Sequence, residues 1–389
     1  MVLSPKTIEI VKATAPVVAE HALEITSTFY PLMFKNNPEV LTFFNKAHQK
    51  EGRQPRALAD SVVAFALHIE NLDAIAPAVQ KIAARHVALS VKPEHYGIVH
   101  KNLMMAIGQV LGDAVTPEIG NAWSEAVLEL ATICINKEEE LYKSAETRSG
   151  GWRYEREFTI VAKDKVAQDT VRFEFAPADG TNAPIEFTPG QYATVRLPGL
   201  GAPRHYTITS KPNSQNIEIT QRLVPGGEIS THMHTQSKVG DKILLGAPMG
   251  VFVPQSEKKA MLVSAGIGAT PMLAFLRSLP HEKIAGAFHI DRSVDRDAFH
   301  EEFAAADLPF YEAVYSSGSS IDIDAIADKL VAAGGQDVDY YVCGPNSFMA
   351  DIERVLRARN VTNIYDEVFS TGTVKTNEEV EKAAASGSQ

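Results

Sequence analysis

The chain has 389 residues, a net charge of −11, and is 45% hydrophobic and 22% charged. That composition excludes disorder as the default, and the acidic balance excludes phosphate-backbone binding as the main task, which needs clustered Lys and Arg. The two cysteines, Cys134 and Cys343, form neither a disulfide framework nor a zinc ribbon, so a reduced, cytoplasmic protein is expected.

The length suits two or three domains. The amino-terminal stretch lacks a basic region followed by an apolar core, so no signal peptide is expected. No apolar run reaches membrane-spanning length, so no stable membrane insertion is expected either. Ser4-Pro5 reads as a helix start. From there helical periodicity continues through "TIEIVKATAPVVAEHALEITSTFYPLMF", "ALADSVVAFALHIENL", "APAVQKIAARHVAL", "HYGIVHKNLMMAIGQVLG" and "PEIGNAWSEAVLELATICINKEEELY". An all-α domain over residues 1–147 follows.

"SAETRSGGWRYERE" marks a linker, after which the period changes to two. "EFTIVAKD", "TVRFEFAP", "QYATVRLP", "RHYTITS", "NIEITQRL" and "DKILLGAP" are short strands separated by turn residues. They predict an antiparallel β-barrel over 148–256. Near Lys258 the texture changes again. "KKAMLVSAG" is an apolar strand leading through glycines into the helix "TPMLAFLRSL", and "AGAFHI", "FYEAVY" and "VDYYVCG" are further strands. A doubly wound α/β domain is predicted over 257–375, with a disordered tail at 376–389.

In the α domain, His86 shares a helix face with Val79 and with Ile82 or Ala83. A histidine on an apolar face is more commonly a core residue than a ligand. Three features favour ligation. Gln54 and Leu58, at i and i+4, offer one polar group and one apolar wall. Phe43-Phe44-Asn45 puts bulky aromatics in a connection. Tyr30, closing the first long helix, carries a hydroxyl that needs a partner if buried. Glu138 lies in the charge run "KEEELY", ordinarily a solvated face.

The stretches "FYPLMF" with "NPE", "FFN", "KIAARH", "VKPEHYGIV" and "INKEEELY" together resemble the globin half of the flavohaemoglobins. The resemblance implies a non-covalent haem b with His86 as the iron ligand and Phe44 wedging the ring. It further implies Tyr30, Gln54 and Leu58 around bound oxygen, with Tyr96 and Glu138 orienting His86. Pro55 after Gln54 and Arg85 in place of a lysine depart from the pattern.

In the barrel, Arg204 and Tyr206 alternate on one strand face, bringing a guanidinium and a phenol together. "GGEISTHMH" offers glycines and a helix start suited to a phosphate. An ordinary surface strand remains the competing reading of both. The two pieces resemble the flavin barrel of the ferredoxin-reductase family. That implies FAD contacts from Tyr192, Arg204, His205, Tyr206 and Thr207, with Gly227 and Ser230 near its phosphates; Thr207 stands where a serine is usual. His232 and His234 are not read as metal ligands.

In the third domain, Gly266, Ile267 and Gly268 follow an apolar strand, and Ala269, Thr270 and Pro271 open a helix, an arrangement that lets backbone approach a phosphate. Cys343, Gly344 and Pro345 end another strand, where nucleotides lie in such sheets, although Cys343 also reads as a small buried hydrophobe. Both stretches resemble the NAD(P) half of the same reductases. "IYDEVFS" resembles their terminal strand, implying Glu367, Val368 and Phe369 beside the flavin, with Ser370 and Thr371 replacing a Gly-Pro pair. Arg292 and Arg296 leave the choice between NADH and NADPH open.

The resemblance as a whole implies nitric oxide dioxygenase activity: nitric oxide and oxygen converted to nitrate, using NAD(P)H through FAD and haem b. The partners would then be these small molecules, with no nucleic acid, and the simplest assembly a monomer. A haem-based oxygen or nitric oxide sensor or carrier, and a general NAD(P)H-dependent flavin reductase, are the alternatives.

Overall fold

The computed structural model of the protein describes residues 3–44, 53–318 and 321–369, without the side chains of Arg53 and Gln54. Most of the chain falls into two compact units, one built on Met1–Glu146 and one on the residues from Thr147. The expected tail lies outside the described residues.

Among its described residues the first unit is all-helical. Its helices are α1 (Pro5–Asn36), α2 (Arg53–Leu67), α3 (Ala76–Ala88), α4 (Pro93–Leu111) and α5 (Pro117–Thr147). Ser4 caps α1, its hydroxyl accepting from the Thr7 amide at 3.0 Å. Val11, Val18, Ile25, Phe29 and Met33 recur at spacings of seven or four along α1 and enter the core with Trp123 of α5. The Trp123 Nε1–H donates to Thr14 Oγ1 at 2.8 Å.

Tyr30 does not close α1, which passes through Pro31 and ends at Asn36. A proline inside a helix costs about 3 kcal/mol. Burial of Met33 and partial burial of Leu32 and Phe34 offset that cost, each apolar side chain contributing about 1.5–3 kcal/mol when fully buried.

The second unit carries two sheets. The first holds β1 (Glu155–Ala167), β2 (Thr170–Pro177), β3 (Tyr192–Arg196), β4 (Arg204–Thr207), β5 (Ile217–Arg222) and β6 (Lys242–Gly246), with helix α6 (Glu228–Thr235) before β6. The strands are antiparallel in the order β4-β3-β6-β1-β2-β5. An Ile208–Ile219 bridge joins the two ends of that order, so the sheet closes into a barrel. Phe158, Ile160, Phe173, Phe175, Ile217 and Ile219 fill it.

The second sheet holds β7 (Ala260–Ala265), β8 (Ile284–Asp291), β9 (Tyr311–Tyr315), β10 (Asp339–Cys343) and β11 (Ile364–Glu367). They alternate with α7 (Ala269–Ser278), α8 (His300–Ala305), α9 (Ile323–Gly334) and α10 (Asn346–Arg357). All strands are parallel, in the order β11-β10-β7-β8-β9. Every residue of β7, β8 and β10 is buried, as a parallel sheet covered on both faces requires. Strand order reverses between β7 and β10, which opens a crevice at their carboxyl ends.

Arginine links barrel and parallel sheet. Arg277 of α7 donates Nη1 to Glu218 Oε1 at 2.6 Å and to the Thr209 carbonyl at 2.8 Å, while its Nε and Nη2 bind Glu302 of α8.

Candidate functional sites

The first site lies at the end of α3. Ser90 takes a left-handed φ of 61° there. The turn returns the Val91 amide to the His86 carbonyl at 2.9 Å and the Ser90 amide to Val87 at 3.0 Å. The Tyr142 hydroxyl of α5 locks the turn by donating to the Val91 carbonyl at 2.7 Å. His86 is therefore presented from a fixed helix end.

His86 Nδ1 lies 2.7 Å from Glu138 Oε1 and 2.9 Å from the Tyr96 hydroxyl, which donates to the same Oε1. A carboxylate can only accept, so this network places the imidazole proton on Nδ1 and leaves the Nε2 lone pair available. The His86 side chain is 35% exposed, whereas that of Glu138 is 3% exposed. A deeply buried acid behind a histidine with an accessible edge fits an iron ligand with an oriented imidazole, and does not fit a core histidine. Cys134, which the sequence reading gives no place in this site, adjoins Tyr96, and burial pushes its thiol up to about 12. Its proximity came from α4 and α5 packing and had no local signal.

Tyr30 is buried among aromatic rings, 4.8 Å from Phe29, 5.9 Å from Phe34 and 5.7 Å from Phe44 between centroids. Burial raises its hydroxyl pKa well above the usual tyrosine range, so it is a neutral donor. Leu58 and Phe44 are partly buried against the same core. Gln54 belongs to α2, but its side chain lies outside the described residues, as does Asn45.

The second site is on the barrel. β3 and β4 pair Tyr192 with Thr207, Ala193 with Tyr206, Thr194 with His205 and Val195 with Arg204. The alternation puts Arg204 and Tyr206 on one face, as the spacing predicts, and His205 on the other. His205 is exposed, its ring lies tilted against Tyr192 with centroids 4.6 Å apart, and its Nδ1 is 2.8 Å from Thr194 Oγ1. Burial lowers the Arg204 pKa and pushes Tyr206 up to about 12; the Gln221 side-chain amide donates to the Tyr206 hydroxyl. A partly buried guanidinium beside a neutral phenol suits a phosphate and a ring system.

Gly227 precedes α6, where a Cβ would stand 2.6 Å from Ser230 Oγ. That hydroxyl accepts from the Val224 amide at 3.2 Å, so Ser230 braces the Gly226-Gly227 turn. His232 and His234 lie on α6, and His234 Nε2 is 3.1 Å from the Gln221 carbonyl.

The third site is the crevice between β7 and β10. Gly266 has φ +57°, and a Cβ on Gly268 would meet the Cys343 carbonyl oxygen at 2.4 Å. A Cβ on Gly344 would meet Phe348 at 2.9 Å and Ala265 at 3.0 Å. Only glycines admit this close approach, and the resulting cradle of bare backbone fits a nucleotide phosphate. Ile267 lies in the intervening turn, while Ala269 and Pro271 are buried at the start of α7. Thr270 Oγ1 donates to the Ile267 carbonyl at 3.0 Å and reaches Thr207 Oγ1 at 3.3 Å, so the flavin and nucleotide motifs meet.

Cys343 is fully buried, and its Sγ donates to the Glu367 carbonyl at 3.2 Å across the β10–β11 pair. Pro345 precedes α10. Val368 packs on the sheet core, whereas Phe369 is 49% exposed, an aromatic ring outside the core clusters. Ser370 and Thr371 lie outside the described residues.

The chain matches the globin family over residues 27–134 and the family described as oxidoreductase FAD-binding domain over residues 157–253. It is 37% identical to the flavohemoprotein of Bordetella parapertussis, covering 96% of this chain and 100% of that one. It is 38% identical to flavohemoprotein A of Dictyostelium discoideum, with 92% and 95% covered. Among solved structures it is similar to the flavohemoglobin of Malassezia yamatoensis, determined with bound FAD and heme, at a TM-score of 0.79 and 28% identity, covering 95% of this chain and 100% of that one.

Proposed function

Because this chain belongs to the flavohemoprotein family, we propose that it is a nitric oxide dioxygenase, converting nitric oxide and oxygen to nitrate at the expense of NAD(P)H. The observation that carries this reading is the His86–Glu138–Tyr96 network, since a buried carboxylate behind the iron ligand makes the imidazole a stronger donor and favours activation of bound oxygen over its storage. When bound, NAD(P)H, FAD and haem b supply a hydride, its division into single electrons, and an oxygen-binding iron centre.

The chain's own residues hold and tune these groups. His86 offers Nε2 to the iron, and Glu138 and Tyr96 fix the ring's tautomer and orientation. Tyr30, a neutral buried hydroxyl, is the proposed hydrogen-bond donor to a polar diatomic ligand. Arg204 and Tyr206 hold the FAD phosphate and ring regions, with Thr207 at the junction with the nucleotide loop. Gly266, Gly268 and Gly344 let the nucleotide phosphates approach backbone. Glu367 ends β11 and Phe369 follows it, and the resemblance of "IYDEVFS" to the reductases' terminal strand supports a role for both beside the flavin.

The test is His86→Ala in the full chain. It should lose the haem spectrum and nitric oxide consumption while retaining FAD and its reduction by NAD(P)H. A variant with an undiminished haem spectrum would remove His86 from the site. Wild-type haem that stays oxidised under anaerobic NAD(P)H would favour a sensor or carrier.

A further inference from the structure

Arg222, the last residue of β5, belongs to the barrel but reaches the nucleotide loop. Its side chain is 15% exposed. Nη2 donates to Asp291 Oδ2 at 2.8 Å and to the Arg296 carbonyl at 2.6 Å. Nε faces Thr170 Oγ1 at 3.4 Å and Asp169 Oδ1 at 3.5 Å. Nη1 has no hydrogen-bond acceptor among the described residues, and it stands 3.0 Å from where a Cβ would lie on Gly266. A guanidinium is thus fixed on two sides by the protein and presents its third nitrogen at the glycine turn.

The other basic groups near this turn are differently placed. Arg296 Nη2 is held by Asp169 Oδ2 at 2.5 Å. Arg292 is exposed at the end of β8. Asp291 is 3% exposed in its side chain and also accepts from the Arg292 amide at 2.7 Å. A guanidinium held partly out of water by fixed carboxylates, with a donor left over beside bare backbone, has the composition of an anion site.

We propose that Arg222 is a ligand of the dinucleotide's pyrophosphate, supplied by the flavin barrel to the nucleotide domain's Gly266–Gly268 turn, with Asp291 as the counter-ion that restrains it. The assignment rests on the nucleotide site proposed above and adds to it a residue from the other sheet. Its consequence is that dinucleotide binding draws barrel and nucleotide domain together through one side chain. Asp291 opposes binding, because its charge lies close to an incoming anion and engages the same guanidinium.

A purely structural salt bridge and an anion ligand make opposite forecasts for the two partners. In the haem- and FAD-loaded full chain, affinity for NAD⁺ and NADP⁺ is measured by calorimetric titration, and the tighter of the two is followed. Arg222→Gln should weaken it roughly 10- to 100-fold, the loss of a charge-assisted hydrogen bond. Arg222→Lys, which keeps the charge without the planar fork, should weaken it less. Asp291→Asn should tighten binding, and this gain should vanish when Asp291→Asn is combined with Arg222→Gln. Flavin absorbance should be unchanged in all of them. Equal weakening by Arg222→Gln and Asp291→Asn would make the pair a staple and overturn the proposal. So would wild-type affinity in Arg222→Gln, or an Asp291→Asn gain that persists in the double variant. Failure of the wild type to bind either nucleotide would instead remove the nucleotide site itself, and this assignment with it.

Discussion

Glu138 Oε1 stands 2.7 Å from His86 Nδ1, with the glutamate side chain 3% exposed, so a carboxylate charge lies directly behind the imidazole. Glu139, its neighbour in sequence, pairs instead with Lys143 at 3.6 Å and is 40% exposed. Glu138→Gln should keep haem and raise its ferric/ferrous potential, because negative charge behind the ligand favours ferric iron. The rise should be roughly 40 mV for each kcal/mol lost. Glu139→Gln should leave the potential unchanged. Spectroelectrochemical titration of both variants makes the comparison, and equal potentials would return Glu138 to the role of a buried structural acid.

Tyr30 carries a neutral hydroxyl on a ring packed among aromatic side chains. Tyr30→Phe should retain haem and FAD but speed oxygen dissociation from the reduced protein roughly 5- to 10-fold, the loss of one hydrogen bond of about 1 kcal/mol or slightly more. Stopped-flow measurement of the dissociation rate decides this, and an unchanged rate would place Tyr30 away from the ligand.

Arg204 is a partly buried cation whose pKa burial lowers, so its charge is held at a cost that an anionic partner would offset. Arg204→Ala should reduce FAD affinity by roughly 1.5–3 kcal/mol and stop reduction of the haem by NAD(P)H. Flavin content after gel filtration, with haem spectra under anaerobic NAD(P)H, reads both effects. Full flavin content and normal haem reduction would make "RHYTIT" a strand and nothing more.

Burial opposes ionisation of Asp291, yet the His289 ring 3.8 Å away and the hydrogen bond from Arg222 lower its pKa from 3.8 to about 2. A folded-state pKa below the unfolded value stabilises at higher pH, and that contribution is lost as pH falls from about 4 to about 2. Ionised Asp291, with all its partners, should therefore contribute about 2 kcal/mol above pH 4. Asp291→Asn should melt several degrees below the wild type at neutral pH, and the gap should close towards pH 2. Thermal release of flavin fluorescence follows this, and a gap independent of pH would assign the loss to packing.

The sequence made the three architectures legible because each has its own period. α1 carries a stripe at seven and four, the barrel strands alternate, and β7, β8 and β10 are mostly apolar runs without alternation. The glycines of the β7–α7 turn were legible too, since only backbone approach explains them. The end of α1 was not legible at Tyr30, because the burial of residues beyond Pro31 outweighs local helix-breaking there. Within the sites, Glu138 looked solvated because its run is charged, and only the packing of α5 against α3 and α4 buries it. Arg222 was illegible for the same reason. Asp169 and Thr170 are distant in sequence, Asp291 lies on the other sheet, and no spacing rule connects them.

The decisive measurement is nitric oxide consumption by the purified haem- and FAD-loaded protein with NAD(P)H, in air and in its absence, with nitrate and reduced nucleotide counted together. One electron is needed for each nitrate, so oxygen-dependent consumption yielding about two nitrate per NAD(P)H is expected. Nitric oxide left unconsumed in air, or consumed at the same rate without oxygen and without nitrate, would contradict a dioxygenase.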